Sequence, residues 1–163
     1  MIKLKTELLD MAIDDGWLTD VEQQISPHYS SRNSSRKSSN NGTEEICTEI
    51  SLLVVHNISL PPAKFGGPYI TDLFLGKLDE NADPYFKEIA HLKVSAHCLI
   101  RRDGKIIQYV SFNNKAWHAG VSAFDGREQC NDFSIGIELE GTDDIPYTEE
   151  QYHLLAILVK KLQ

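Results

Sequence analysis

The chain has 163 residues, with 16 lysines and arginines against 24 aspartates and glutamates, for a net charge of −8 with histidines neutral. That length fits one domain, and 41% hydrophobic with 25% charged residues is the balance of an ordinary soluble globule. The acidic surplus argues against a nucleic-acid or anionic-membrane surface, and no apolar run is long enough to span a bilayer.

Residues 1–18 set acids among their apolar positions and lack the uninterrupted apolar core and small-residue cleavage site of a secretory signal. The three cysteines, Cys47, Cys98 and Cys130, form no CxxC pair. They suggest neither a zinc knuckle nor a disulfide framework, and point to a reducing, cytoplasmic compartment.

In chain order, residues 1–25 carry a short amphipathic stretch (Leu4, Leu8, Leu9, Met11, Ile13) that ends near Gly16 and Trp17. From about 30 to 43 the chain is rich in serine and asparagine and has no apolar residue to anchor it, so a flexible surface loop is expected. Ile50–Val55 is β-branched and apolar on both faces, which predicts a central strand delivering His56 at its end.

An irregular loop with Pro61, Pro62 and Phe65–Pro68 follows, then a short helix over 69–76. Residues 94–101 and 105–110 read as a hairpin around the Asp103-Gly104 turn. Phe133–Gly141 predicts a strand with Ile135, Ile137 and Leu139 on one face and Gly136, Glu138 and Glu140 on the other. Thr148-Glu149-Glu150-Gln151 is a capping box that opens a helix with Leu154, Leu155, Leu158 and Val159 on its apolar side. The fold class is α/β, a mixed sheet flanked by helices.

Histidine and glutamate carry the candidate chemistry. His56, at a strand end, is either a core imidazole bonded to backbone or a metal ligand facing a cleft. His118, beside Trp117, either lines a groove or holds its loop. His97 reads as a hydrogen-bonded sheet residue, and His28, His91 and His153 give no independent signal. Glu138 lies mid-strand, where a carboxylate is either ion-paired or used as a general base. Glu140, nearer the strand end, is expected to be solvated. A cysteine-nucleophile scheme is disfavoured: Cys98 belongs to an apolar face and Cys130 has no base in reach.

Several segments together resemble one family closely. They are Ser-Pro-His28-Tyr29, Leu52-Leu-Val-Val-His56-Asn57, Phe65-Gly-Gly-Pro, Ser95-Ala-His97-Cys98-Leu-Ile-Arg-Arg-Asp-Gly, Ala116-Trp117-His118-Ala-Gly, and Cys130-Asn-Asp-Phe-Ser-Ile-Gly-Ile-Glu138. These are similar to the amidase-2 family of zinc N-acetylmuramoyl-L-alanine amidases, and within it to the cytoplasmic anhydromuropeptide amidases.

The resemblance implies a mixed sheet flanked by helices, shared with peptidoglycan-recognition proteins, over a single domain of residues 1–163. It implies Zn2+ as cofactor, held by two histidines and an aspartate. The implied reaction cleaves the amide between anhydro-N-acetylmuramic acid and the L-alanine of the stem peptide. By position His56 matches the first zinc ligand and Glu138 the catalytic glutamate. Asn57, Trp117 and His118 match the substrate-binding neighbourhood. The implied partner is an anhydromuropeptide, not nucleic acid or membrane, met by a monomer.

The chain also departs from the family. The second zinc histidine, in a Gly-His segment, and the lysine and aspartate of a Lys-x-Asp-Pro-Gly motif have no counterpart here, and Lys93 and Gln129 stand where the family has arginine. Because the sequence stops in a helix at Gln163, the resemblance implies a C-terminally truncated domain. Three readings follow: an amidase lacking its last segment, a muropeptide-binding module that does not cleave, or a remnant without function.

Overall fold

The computed structural model describes residues 11–32 and 49–163, with the backbone of Ser35–Ser38 and Glu44–Cys47 between them. In chain order its strands and helices are β1 (Ile13–Asp14), β2 (Trp17–Leu18), β3 (Glu22–Gln23), β4 (Tyr29–Ser31), β5 (Ser35–Ser38), β6 (Glu44–Cys47), β7 (Leu52–Ile58), α1 (Tyr69–Phe74), β8 (Cys98–Ile100), β9 (Ile106–Gln108), β10 (Asn114–Ala116), β11 (Ala123–Phe124), β12 (Arg127–Glu128), β13 (Ser134–Glu140) and α2 (Glu149–Leu162). Of the amphipathic stretch expected near the N-terminus, Leu4, Leu8 and Leu9 lie outside the described residues; Met11 is fully buried.

A five-stranded mixed sheet in the order β3-β9-β8-β13-β7 organises the molecule. Strand β13 lies between β7 and β8 and runs parallel to both, while β8 and β9 are antiparallel; β7, expected as a central strand, instead closes one edge of the sheet among the described residues, with Val55 44% exposed. The β8–β9 hairpin turns where expected, with Gly104 at φ +78°, a left-handed conformation that glycine adopts without a Cβ penalty.

The residues of β13 alternate, but both faces are buried, because layers cover the sheet on two sides. Ile135, Ile137 and Leu139 pack with Cys98, Ile100 and Ile106 against Leu154 and Leu158 of α2. On the other face Leu99 and Ile107 join Ile70, Leu73 and Phe74 of α1, with Phe86. The capping box at the start of α2 is fully formed: Thr148 Oγ1 accepts from Gln151 N and Gln151 Oε1 accepts from Thr148 N.

Two other expectations are corrected. The serine-rich stretch is not loop throughout: Tyr29–Ser31 pairs with β10, and Ser35–Ser38 pairs antiparallel with Glu44–Cys47. Strand pairing satisfies backbone donors and acceptors without apolar side chains, so composition alone missed it. Glu140 is not solvated but only 2% exposed. Its carboxylate accepts from the backbone N–H groups of Gly66 at 2.6 Å and Arg102 at 3.0 Å, which offset its burial.

Candidate functional site

The parallel register of β13 and β7 sets Glu138 beside His56, on the sheet face that Gly136 shares. The spacing from β10 to β13 then returns His118 over the same face. A Cβ on Gly136 would stand 2.3 Å from His118 Cγ, so only glycine admits the ring there. The space that Gly136 opens is therefore filled by an imidazole.

The backbone of His118 is held as firmly as its ring. Asn131 Oδ1 accepts from the N–H of His118 at 3.1 Å and of Ala119 at 2.9 Å. His118 Nδ1 lies 2.9 Å from His56 Nε2, and its Nε2 lies 3.1 Å from Ser134 Oγ. Burial, with His97, His56 and Arg32 nearby, pushes His118 down to about 3, and burial also lowers His56. Both rings are neutral near pH 7, and a neutral imidazole keeps a lone pair for a proton or a cation.

Glu138 is 8% exposed, and among the described residues its Oε2 has no hydrogen-bond partner. Burial alone raises its carboxyl to about 8. The ion-paired reading of this residue is thereby removed. Glu138 and His118 line a cleft of about 310 Å³ together with Trp117, Lys93 and Leu73. His28, which gave no signal in the sequence, stacks on Trp117 with ring centroids 6.1 Å apart.

Asn57 stands apart from this cleft. Being adjacent to His56 on a strand, it faces the opposite way, and its Nδ2 donates to Asp143 Oδ1 at 2.7 Å. His97 is the structural histidine expected: its Nδ1 accepts from Gly136 N at 3.0 Å and its Nε2 donates to Asn114 O at 3.1 Å. Cys98 is fully buried and its thiol is pushed far up by burial, so it is no nucleophile.

Sequence reasoning passed over three residues that build the site: Arg32, Asn131 and Ser134. Arg32 is buried and donates to the carbonyls of Phe112, Asn131, Asp132 and Ser134 at 2.9–3.2 Å. It gathers the turn that carries Asn131 and the first residue of β13. The one available signal was Ser134, a polar residue in step with Gly136 and Glu138 on one strand face.

Among the described residues no group of three His, Cys, Asp or Glu side chains stands ready to hold a metal ion. His56 offers one ring nitrogen, since its other nitrogen and both of His118 are engaged. The described donors therefore do not make the set of three protein ligands that catalytic zinc takes.

A family profile described as N-acetylmuramoyl-L-alanine amidase (Amidase_2) matches residues 47–163. The 1,6-anhydro-N-acetylmuramyl-L-alanine amidase AmpD of Citrobacter freundii is 57% identical over 152 residues, which is 93% of this chain and 75% of that protein. The AmpD of Haemophilus influenzae is 54% identical over 143 residues, covering 88% of this chain and 71% of its own length. A crystal structure of a Se-Met AmpD derivative superposes with a TM-score of 0.82 at 57% identity, over 93% of this chain and 78% of that one. The shared mixed sheet is that expected from the sequence. The chain belongs to the amidase-2 family of N-acetylmuramoyl-L-alanine amidases.

Proposed function

We propose that this chain hydrolyses the amide between anhydro-N-acetylmuramic acid and the L-alanine of the stem peptide, in the cytoplasm, as a step of peptidoglycan recycling. The observation that carries the reading is Glu138: a buried carboxyl with one oxygen unpartnered among the described residues, aimed into a cleft and raised to about 8 by burial. A group with a pKa near the working pH both takes and returns a proton efficiently. Glu138 accepts a proton from the attacking water and gives it to the leaving amine of L-alanine. Trp117 offers a flat apolar face to the sugar, and the Lys93 ammonium at the cleft offers a counter-charge to an acidic group of the stem peptide.

Zinc is the cofactor this reading includes, with His56 as one ligand; bound there it would act as a Lewis acid on water and carbonyl. Among the described residues no group of three His, Cys, Asp or Glu side chains is assembled around it. The chain acts as a single amidase domain over 1–163 and as a monomer. Among the described residues no helix is long and apolar enough to cross a membrane.

The test is release of free stem peptide from an anhydromuropeptide supplied with zinc. Glu138→Gln is expected to abolish release while substrate still binds, a loss on the order of 10²–10⁴-fold. Release that Glu138→Gln leaves unchanged removes the reading. The lack of a three-ligand group favours one second reading, a module that binds muropeptides without cleaving them. Calorimetric affinity without any release, with zinc present, would select it.

A further inference from the structure

The structure assigns Ser134 a positioning role in the candidate site: it sets the tautomer of His118 and, through His118, decides which ring nitrogen of His56 is left open. Ser134 is fully buried, and its Oγ donates its single proton to Cys130 O at 2.6 Å. Toward His118 Nε2, 3.1 Å away, the hydroxyl oxygen is then the acceptor. His118 carries its proton on Nε2, and its Nδ1 is a lone pair. That lone pair accepts from His56 Nε2 at 2.9 Å, so His56 also carries its proton on Nε2.

No hydrogen bond reaches His56 Nδ1 among the described residues, and this nitrogen alone remains to meet a ligand. The opposite polarity would require the Ser134 proton to give up the 2.6 Å bond to Cys130 O for the 3.1 Å contact with His118, leaving that carbonyl only the longer 3.2 Å bond from Phe133 N. The His118 ring cannot turn to escape the constraint. Gly136 abuts it on one side, and Asn131 Oδ1 fixes its main chain. The device is thus a fixed relay of three hydrogen bonds running Cys130–Ser134–His118–His56.

The inference builds on the reading of His56 as a site residue, and its test reads tautomers, not turnover. The whole chain is labelled with 15N-histidine and the ring nitrogens are assigned by two-bond proton–nitrogen correlation. His56 and His118 are both expected as Nε2–H tautomers in the wild type. Ser134→Ala is expected to convert each into a mixture with the Nδ1–H form, and Ser134→Thr, which keeps the hydroxyl, to restore the single form. His97, tied to Gly136 and Asn114, reports an intact fold by staying Nε2–H throughout.

A wild-type His118 protonated on Nδ1 overturns the inference, and so does a folded Ser134→Ala protein that keeps both single tautomers. If Ser134→Ala fails to fold, the wild-type pattern decides: Nε2–H on both rings upholds the relay. Absence of hydrolysis beside the expected tautomers would count against the amidase reading and leave this one standing.

Discussion

His118 and Gly136 touch so closely that a single methyl group between them is excluded: a Cβ at residue 136 would lie 2.3 Å from Cγ and 2.5 Å from Nδ1 of the imidazole. The ring is not a flexible end that could swing aside, because hydrogen bonds hold both its nitrogens and its main-chain N–H. Gly136→Ala is therefore expected to cost about 1–3 kcal/mol by overpacking. It should also break the contact with His56 and sharply reduce peptide release. Urea unfolding together with the release assay checks both; an alanine variant of native stability and turnover would contradict the packing argument.

Arg32 should matter for stability more than its place beside a polar loop suggests. Its guanidinium supplies four carbonyls with donors, and burial lowers its pKa to about 10, which leaves it charged at neutral pH. Arg32→Met keeps much of the volume but strands those carbonyls, with an expected loss on the order of 3 kcal/mol. Arg32→Lys should recover little of it, since a point charge cannot reproduce the planar fork. The midpoint of denaturant unfolding measures both.

Acid should weaken the fold through buried imidazoles. His97 falls from its ordinary 6.5 to about 3 on burial, and its Nδ1 is committed to accepting from Gly136 N–H. Between those values the unfolded chain binds a proton that the folded chain refuses, so stability drops as pH falls from about 6.5 toward 3. Each such group contributes up to about 1.4 kcal/mol per pH unit within the window. His118 adds a second group of the same sign. His97→Gln should reduce this slope in denaturation series run at several pH values; an unchanged slope would show that other groups carry the acid sensitivity.

Zinc should be held loosely by the described residues, which offer it the single open nitrogen of His56 and no three-ligand group. Hydrolysis is expected to need added zinc, to stop with a chelator, and to return when zinc is restored. Dialysed protein should carry well under one zinc per chain, measured by atomic emission. A tightly held equivalent that His56→Ala releases would mean that residues beyond those described complete the site.

Local pattern and tertiary geometry divide the explanation at particular residues. The strand that ends in His56, the alternation through Glu138, the Asp103-Gly104 turn and the Thr148 capping box were all legible, because strand period, turn chemistry and helix capping are properties of neighbours in sequence; that the apolar run before His56 forms an edge strand and not a central one was not, since the order of strands is a tertiary property. These determined the α/β class and put one histidine and one glutamate at strand positions where chemistry is possible. They could not reveal that Glu138 ends buried with its Oε2 unpartnered among the described residues while Glu140, two residues on, is buried and satisfied by two backbone N–H groups. That difference depends on which loop folds over which carboxylate.

Nor could they join His56 to His118, 62 residues apart, or tie Arg32 to a turn about a hundred residues later. Those meetings exist because β13 pairs in parallel with β7 and lies between it and β8. Hydrogen-bond polarity, burial and close approach are set by what packs across the sheet, and only the assembled fold decides them.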